Sequence, residues 1–249
     1  MRMILFAKRN IKDILRDPVN LFFSLGFPLA LLVLLSIIQA AIPPEAKNTM
    51  FEIHHLAPGL AMFGSVFMAL FAGMLLSKDR TSSFLMRLFT SPMTATDFIL
   101  GYTLPMVVLT IAQAAVTLLS AGIFGLRIDI HILFAILMTA FTSLLFVGTG
   151  LFFGSILNEK AVSGICGALL TNIAGWLSGV FIPIDMIGGI FKTITHLLPF
   201  YHSVEAIKIS LSGRCDGLLS HLLVVIVYAV VVFVCAIVVF QRKMNGEKG

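Results

Sequence analysis

Residues 77–97, SKDRTSSFLMRLFTSPMTATD, are the longest polar interval between two hydrophobic runs of this chain, and the other segments organise around it. The interval carries Lys78, Arg80 and Arg87, yet Phe84, Leu85, Leu88 and Phe89 recur within it at helical spacing. That spacing predicts a short helix with one apolar face, held just outside a bilayer. Lipid alone need not claim such a face. A soluble partner is the expected occupant.

Composition leaves one fold class. Of 249 residues, 59% are hydrophobic and 12% charged, and mean hydropathy is +1.04. A soluble domain needs a polar exterior that this chain cannot supply. Its apolar residues come in runs of roughly 20 or more, the length that crosses about 30 Å of hydrocarbon. The alternation of a β-barrel is absent. The expectation is an all-α polytopic membrane protein with six transmembrane helices, at about 20–41, 56–76, 98–123, 131–157, 162–182 and 218–240. Thr94, with Asp97 three residues on, reads as the capping box that opens the third.

Two flanking segments are amphipathic. In residues 1–17, Ile4, Ala7, Ile11, Ile14 and Leu15 share one helical face, and Lys8, Arg9, Lys12, Asp13 and Arg16 take the other. This predicts a helix lying in the membrane interface, its basic residues toward headgroups. Asp17-Pro18 ends it. The basic region is too extended, and the following run too long, for a cleaved leader. In 183–199, Met186, Ile187, Ile190, Phe191, Ile194 and Leu197 recur at three and four, with Pro183, Gly188-Gly189 and Pro199 as breaks. The segment is too short to cross. It reads either as half-helices dipping back into the outer leaflet, which must be buried in protein or line a cavity, or as a helix lying on the outer surface.

Six spans put both termini on one side. That side holds Arg2, Lys8, Arg9, Lys12, Arg16, Lys78, Arg80, Arg87, Lys160, Arg242, Lys243 and Lys248. The other holds Lys47, Arg127, Lys192, Lys208 and Arg214. The asymmetry predicts cytoplasmic termini and a cytoplasmic 77–97 interval. It also accounts for the net charge of +5 without a nucleic-acid partner.

Chemistry is sparse. No GxxxxGK[ST] phosphate loop, HExxH pair or metal-ligand spacing occurs, and Cys166, Cys215 and Cys235 make no disulfide framework. Between their rims the expected spans hold no Asp, Glu, Lys or Arg, which argues against an ion-coupled carrier. Asp185, Glu205, His196 and His202 lie near one another in the outer segment and are explained as solvated loop residues. Gln113, Thr117 and Asn172, with Trp176, are the candidates to line a path for an amphipathic substrate; hydrogen bonding from helix to helix explains the polar ones equally well. Gly150/Gly154 and Gly175/Gly179 read as small-xxx-small pairs for close packing, within the subunit or between two.

The arrangement resembles the membrane subunits of type-2 ABC exporters. The amphipathic segment 1–17 is similar to that family's elbow helix, and 77–97 to its coupling helix, where Arg87-Leu88-Phe89-Thr90-Ser91-Pro92 resembles an RL-x-x-SP pattern. Asn172 and Gly179-Val180-Phe181-Ile182-Pro183, then Leu198-Pro199 and Glu205-Ala206-Ile207-Lys208, resemble its signature around the fifth span. The resemblance covers essentially the whole chain. Ser82-Ser83 stands where many members have a glycine, and Lys208 where the family has arginine.

The resemblance implies a single transmembrane domain in the cell membrane that is not an enzyme by itself. It would associate with a second permease subunit, identical or homologous, and with a cytoplasmic ATPase that carries the ATP and Mg. Phe84, Leu85, Arg87, Leu88, Phe89, Ser91 and Pro92 would then meet the ATPase, and Pro183, Gly188, Gly189 and Pro199 would shape the re-entrant gate. The implied activity is efflux of an amphipathic or lipid-like substrate such as a drug, antibiotic or peptide. Polysaccharide-exporting members of the same family, and a membrane enzyme or assembly factor without transport, stand as alternatives.

Overall fold

A computed structural model describes residues 2–43, 51–82, 93–181 and 184–246. Among these residues the regular elements are helices throughout, with no strand. They are α1 (Arg2–Leu15), α2 (Phe22–Ala41), α3 (Ile53–Thr81), α4 (Ala95–Ser120) and α5 (Ile130–Ile156). Then come α6 (159–177), α7 (Gly189–Leu197), α8 (Pro199–Ser212) and α9 (Leu218–Gly246). Helices α2, α3, α4, α5 and α9 are long and apolar enough to cross a membrane, which agrees with a polytopic all-α protein.

The expected span over 162–182 takes a different form. It is α6, built from Glu159–Val162, a π-helical Ser163–Leu170 and Thr171–Leu177, and it stops before the turn at Gly179, whose φ is +80°. Glu159, Lys160 and Asn172 dilute its apolar character, and it is not among the five. Gly179 therefore sits outside the helix that holds Gly175. The second small-residue pair is not a helical one.

The bundle is built around α3. Over its most apolar stretch 83% of residues are buried, against 17% for α2 and 11% for α9. Its first half, from Leu56 to Val66, shares a core with Ala114 and Leu118 of α4, Phe146 of α5, and Val204 and Ile207 of α8. Its other half, with Phe71, Ala72 and Leu76, packs with Phe6 and Ile14 of α1, Phe98 and Tyr102 of α4, and Phe240 and Met244 of α9.

Glycine sets how close α3 and α5 come. A Cβ on Gly150 would lie 1.9 Å from the Ala69 carbonyl oxygen, and one on Gly154 would lie 2.5 Å from that of Gly73. A Cβ on Gly73 would in turn lie 2.7 Å from the Gly150 carbonyl oxygen. The two backbones touch, as small-residue stripes permit between membrane helices. The Gly150/Gly154 pair thus packs within the chain.

Helix α1 divides its apolar residues between two directions. Phe6, Ala7, Asn10 and Ile14 are buried against the bundle, while Ile4, Leu5 and Leu15 are exposed. The apolar face expected from sequence is thus split, with Ala7 and Ile14 buried and Ile4 and Leu15 exposed. The cause is local: Phe6 packs over Gly101, where a Cβ would come within 2.5 Å of its ring, and meets Phe98 and Tyr102 edge-on at 5.5 and 4.9 Å.

At the opposite end, Gly188 and Gly189 (φ +65° and +55°) separate the short helix Ile184–Ile187 from α7, and Pro199 opens α8. The two arms differ. Helix α7 buries only Thr195 among its residues, whereas α8 turns Ser203, Val204, Ala206, Ile207 and Ser210 inward. The ring Nδ1 atoms of His202 and His221, 2.8 Å apart, join α8 to α9, and the Tyr228 hydroxyl donates to the Leu197 carbonyl at 3.1 Å.

A β-branched side chain at Gly150 has no soft neighbour to displace. Gly150→Val is expected to cost about 1–3 kcal/mol or more, as overpacking does. Thermal unfolding in detergent should register this as a lowered midpoint. Gly164→Ala, where a Cβ meets nothing within 4 Å, should leave the midpoint unchanged.

Candidate functional site

The basic end of the bundle gathers α1, the last turn of α3, the first turn of α4, the last turn of α5 and the tail of α9. Helix α3 runs past the expected rim at Leu76 to Thr81, which carries Asp79 inward to 4% exposure. Ala69, Ala72, Leu76 and Asp79 follow one another at helical spacing, so the buried face continues into a charged residue. Arg9 of α1 meets that carboxylate through both terminal nitrogens, with Nη2 donating to Oδ1 at 3.1 Å and Nη1 to Oδ2. The Tyr102 hydroxyl of α4 donates to Asp79 Oδ2 at 2.9 Å. Asn10 Nδ2 donates to the Gly101 carbonyl at 3.1 Å.

This network joins three helices through one carboxylate. Burial alone would lower the Arg9 pKa; the hydrogen bond and charge of Asp79 outweigh it and raise the value above the ordinary arginine range. Arg9 Nε also reaches Asp13 at 2.9 Å within α1. A planar guanidinium suits this role because its fork matches a carboxylate on two sides.

A second set of donors closes the end of α5. Arg80 Nη1 and Nη2 donate to the carbonyls of Ser155 and Leu157 at 3.1 and 2.7 Å. Ser77 Oγ donates to Leu157 O at 3.0 Å, and Lys243 Nζ of α9 donates to Ile156 O at 3.3 Å. Cations at a helix C-terminus satisfy orphan carbonyls and complement the dipole. The sequence reading places Arg80 in the polar interval beyond the span. It is a cap.

The described residues on either side of 83–92 are both fixed points. On one side is the last turn of α3. On the other is the capping box expected from sequence: Thr94 N donates to Asp97 Oδ2 at 2.9 Å, and Asp97 N to Thr94 Oγ1 at 3.2 Å. Met93 and Ala95 beside it are buried in the core of this end. Phe84, Leu85, Arg87, Leu88, Phe89, Ser91 and Pro92 lie outside the described residues, as does Pro183.

Between α1, α3 and the start of α6 opens a groove of about 450 Å³. Ile14, Phe71 and Leu75 supply apolar walls, while Arg16, Lys78 and Glu159 bring charge of both signs. The π-helical turn Phe22–Gly26 follows Pro18, and the π-helical Ser163–Leu170 follows Glu159; Pro18 and Glu159 both line the groove. Wide π turns of this kind recur at functional sites.

The four residues considered for a pathway are not brought together. Gln113 and Thr117 are fully buried and bonded to each other, Nε2 to Oγ1 at 3.1 Å. Gln113 covers Gly64, where a Cβ would lie 2.3 Å from Nε2, and its Oε1 finds no hydrogen-bond partner. Asn172 and Trp176 are exposed on α6, with Asn172 Nδ2 donating to Ala168 O at 2.7 Å. Gly188 and Gly189 lie at the start of α7, and Pro199 opens α8. Glu205 is engaged by Lys208 at 2.8 Å. Among the described residues no three His, Cys, Asp or Glu converge as metal ligands.

Comparison with known proteins gives two similarities. Residues 2–211 match the family of ABC-2 type transporters. Over 70 residues the chain is 31% identical to nodulation protein J of Sinorhizobium fredii; the aligned stretch covers 28% of this chain and 27% of that protein.

Asp79 tests whether α1 is held by charge. Asp79→Asn keeps the shape and removes the charge, and should loosen α1 at a cost of about 1–3 kcal/mol, below that of a fully dry pair because Arg9 is partly solvated. Limited trypsin digestion should then cut at Lys8, Arg9 or Lys12 faster than in the parent chain. Unchanged cutting would mean that the Phe6 contacts alone hold the helix.

Proposed function

The chain belongs to the ABC-2 type transporter family, and from that premise we propose that it is the permease subunit of an ATP-driven exporter. In this reading two permease chains pair in the cell membrane, with both termini and the 77–97 interval in the cytoplasm. Helix α1 serves as the elbow helix, α6 is the fifth of six crossings, and the 183–199 segment that holds α7 is re-entrant, with α8 buried beyond it. A separate ATPase binds ATP and Mg. Phe84, Leu85, Leu88 and Phe89 seat in it, with Arg87 as the polar contact.

The observation that carries this reading is the fixing, at one end of the bundle, of the residues on either side of 83–92. Asp79 and Arg80 tie α1, α4 and α5 to the last turn of α3. A push on the interval would therefore act on several helices at once. Helix α3, of 29 residues, rises about 43 Å, so the same rigid element reaches the α8 contacts at the far end. ATP can shift the balance of inward- and outward-open states only by making different contacts with each.

The groove beside α1 supports an amphipathic or lipid-like substrate, since it offers apolar walls under a charged rim at the same end. Export of a drug, antibiotic or peptide from the cytoplasm or inner leaflet follows on this view.

Co-purification of the tagged chain from its native membrane tests the proposal. A soluble ATPase in near-equal amount is expected, and it should be lost from a Leu88→Asp/Phe89→Asp variant that still inserts. Phe89→Asp alone should leave ATP hydrolysis no longer matched to export. Recovery of the chain without any ATPase, or unchanged export by Phe89→Asp, would overturn the reading.

A further inference from the structure

At the end opposite the basic cluster, α5, α8 and α9 enclose a second groove, of about 440 Å³. Its walls are apolar: Phe134, Leu137, Met138 and Phe141 from α5, with Leu218 and Leu222 from α9. Phe134, Leu137 and Phe141 are 52%, 53% and 40% exposed, so the groove opens sideways from the bundle rather than into its core.

Only its mouth is polar. Gly213, Arg214 and Cys215 of the α8–α9 turn lie there, with His131 at the start of α5. The mouth is a fixed structure. Gly213 has φ +71°, and a Cβ there would come within 2.5 Å of His131 Nε2, so the turn sits directly against the imidazole. Asp129, the anion of this loop, is already engaged: it accepts from His131 Nδ1 at 3.1 Å and caps α5 by accepting from His131 N at 2.9 Å. That hydrogen bonding by His131 holds the Asp129 carboxyl below its usual range, so it stays a satisfied carboxylate. Arg214 is exposed and has no ion-pair or hydrogen-bond partner among the described residues.

The dimensions fit one leaflet. From His131 to Phe141 a helix rises about 15 Å, half of the roughly 30 Å hydrocarbon thickness. A slot with a cation at the water-facing end, and aromatic and aliphatic walls to mid-bilayer depth, is complementary to a single acyl chain below a phosphate. We propose that this groove is a binding site for a phospholipid of the leaflet opposite the basic end. One acyl chain lies along Phe134, Leu137, Met138 and Leu222, and the headgroup phosphate rests on Arg214. The arginine contributes charge-assisted hydrogen bonds in a fork that suits phosphate. The site is separate from the proposed loading groove and holds whether or not the chain is an exporter.

Native mass spectrometry of the full chain in mild detergent tests this, with phosphatidylglycerol and a diacylglycerol of the same acyl chains as probes. Phosphatidylglycerol should be retained about tenfold more strongly than diacylglycerol, the scale of one charged hydrogen-bonded contact. Arg214→Ala should bring the two lipids level, and Arg214→Lys should restore part of the preference. Leu222→Trp, which fills the slot, should weaken retention of both. Equal retention of phosphatidylglycerol by the parent and Arg214→Ala, or indifference to Leu222→Trp, would overturn the proposal. Ready cross-linking of Cys215 to Cys215 between copies would do so too, since a second chain would then cover the groove.

Discussion

Backbone contact between α3 and α5 is the constraint on which the rest of this bundle depends. Lipid tails are as apolar as leucine, so membrane helices gain little from burying apolar surface against each other and must rely on close packing and polar links. Here Gly73, Gly150 and Gly154 bring two helices to the point where carbonyl oxygens occupy the space of missing β-carbons. Once α3 and α5 are in register, the remaining helices pack on the faces that the pair presents. Helix α4 packs on both α3 and α5, α1 packs on α4, and α8 lies against both members of the pair.

Polar links then fix each end, and the two ends are built differently. At the basic end a single buried carboxylate, Asp79, gathers Arg9 and Tyr102 from two other helices. Such a group is costly to bury unless paired and hydrogen-bonded; three donor atoms on Asp79 meet that need. At the other end the links are the His202–His221 pair and the Tyr228 bond to a carbonyl.

Fold class was legible from sequence because bilayer thickness imposes a run length that no soluble core needs. Five of the six expected spans correspond to long apolar helices, and the Thr94–Asp97 box is where its two residues predict. The expected span at 162–182 departs because a hydropathy run does not report hydrogen-bond pattern. Ser163–Leu170 is π-helical, and Gly179 turns the chain before the run ends. The Asp79 network was hidden for a different reason: charge next to a span reads as solvated interval, while the helical face through Ala72 and Leu76 carries on regardless. The spacing that would have found it was present at Leu76 and Asp79. The partner on α1 was not, since nothing local in α1 points Arg9 at a residue seventy positions away. The residues with the clearest partner-binding pattern, Phe84 to Phe89, lie outside the described residues, so their role stands on sequence.

Burial falls off steeply from the centre, and that gradient constrains how the bundle can work. Helix α3 is enclosed, while α2 and α9 turn most of their apolar surface outward. The π-helical turns lie in α2 and in α6, not in the α3–α5 pair. Each begins within a turn or so of a residue that lines the groove at the basic end, Pro18 or Glu159. A π turn already departs from the i→i−4 ladder, so its backbone can be rearranged at lower cost than a regular one. The groove is thus bounded by a stiff wall on α3 and, at Pro18 and Glu159, by segments that lead into the softer backbones of α2 and α6. Opening it by moving α2 or α6 leaves the glycine contacts of α3 and α5 intact, whereas any opening that moved α3 would break them.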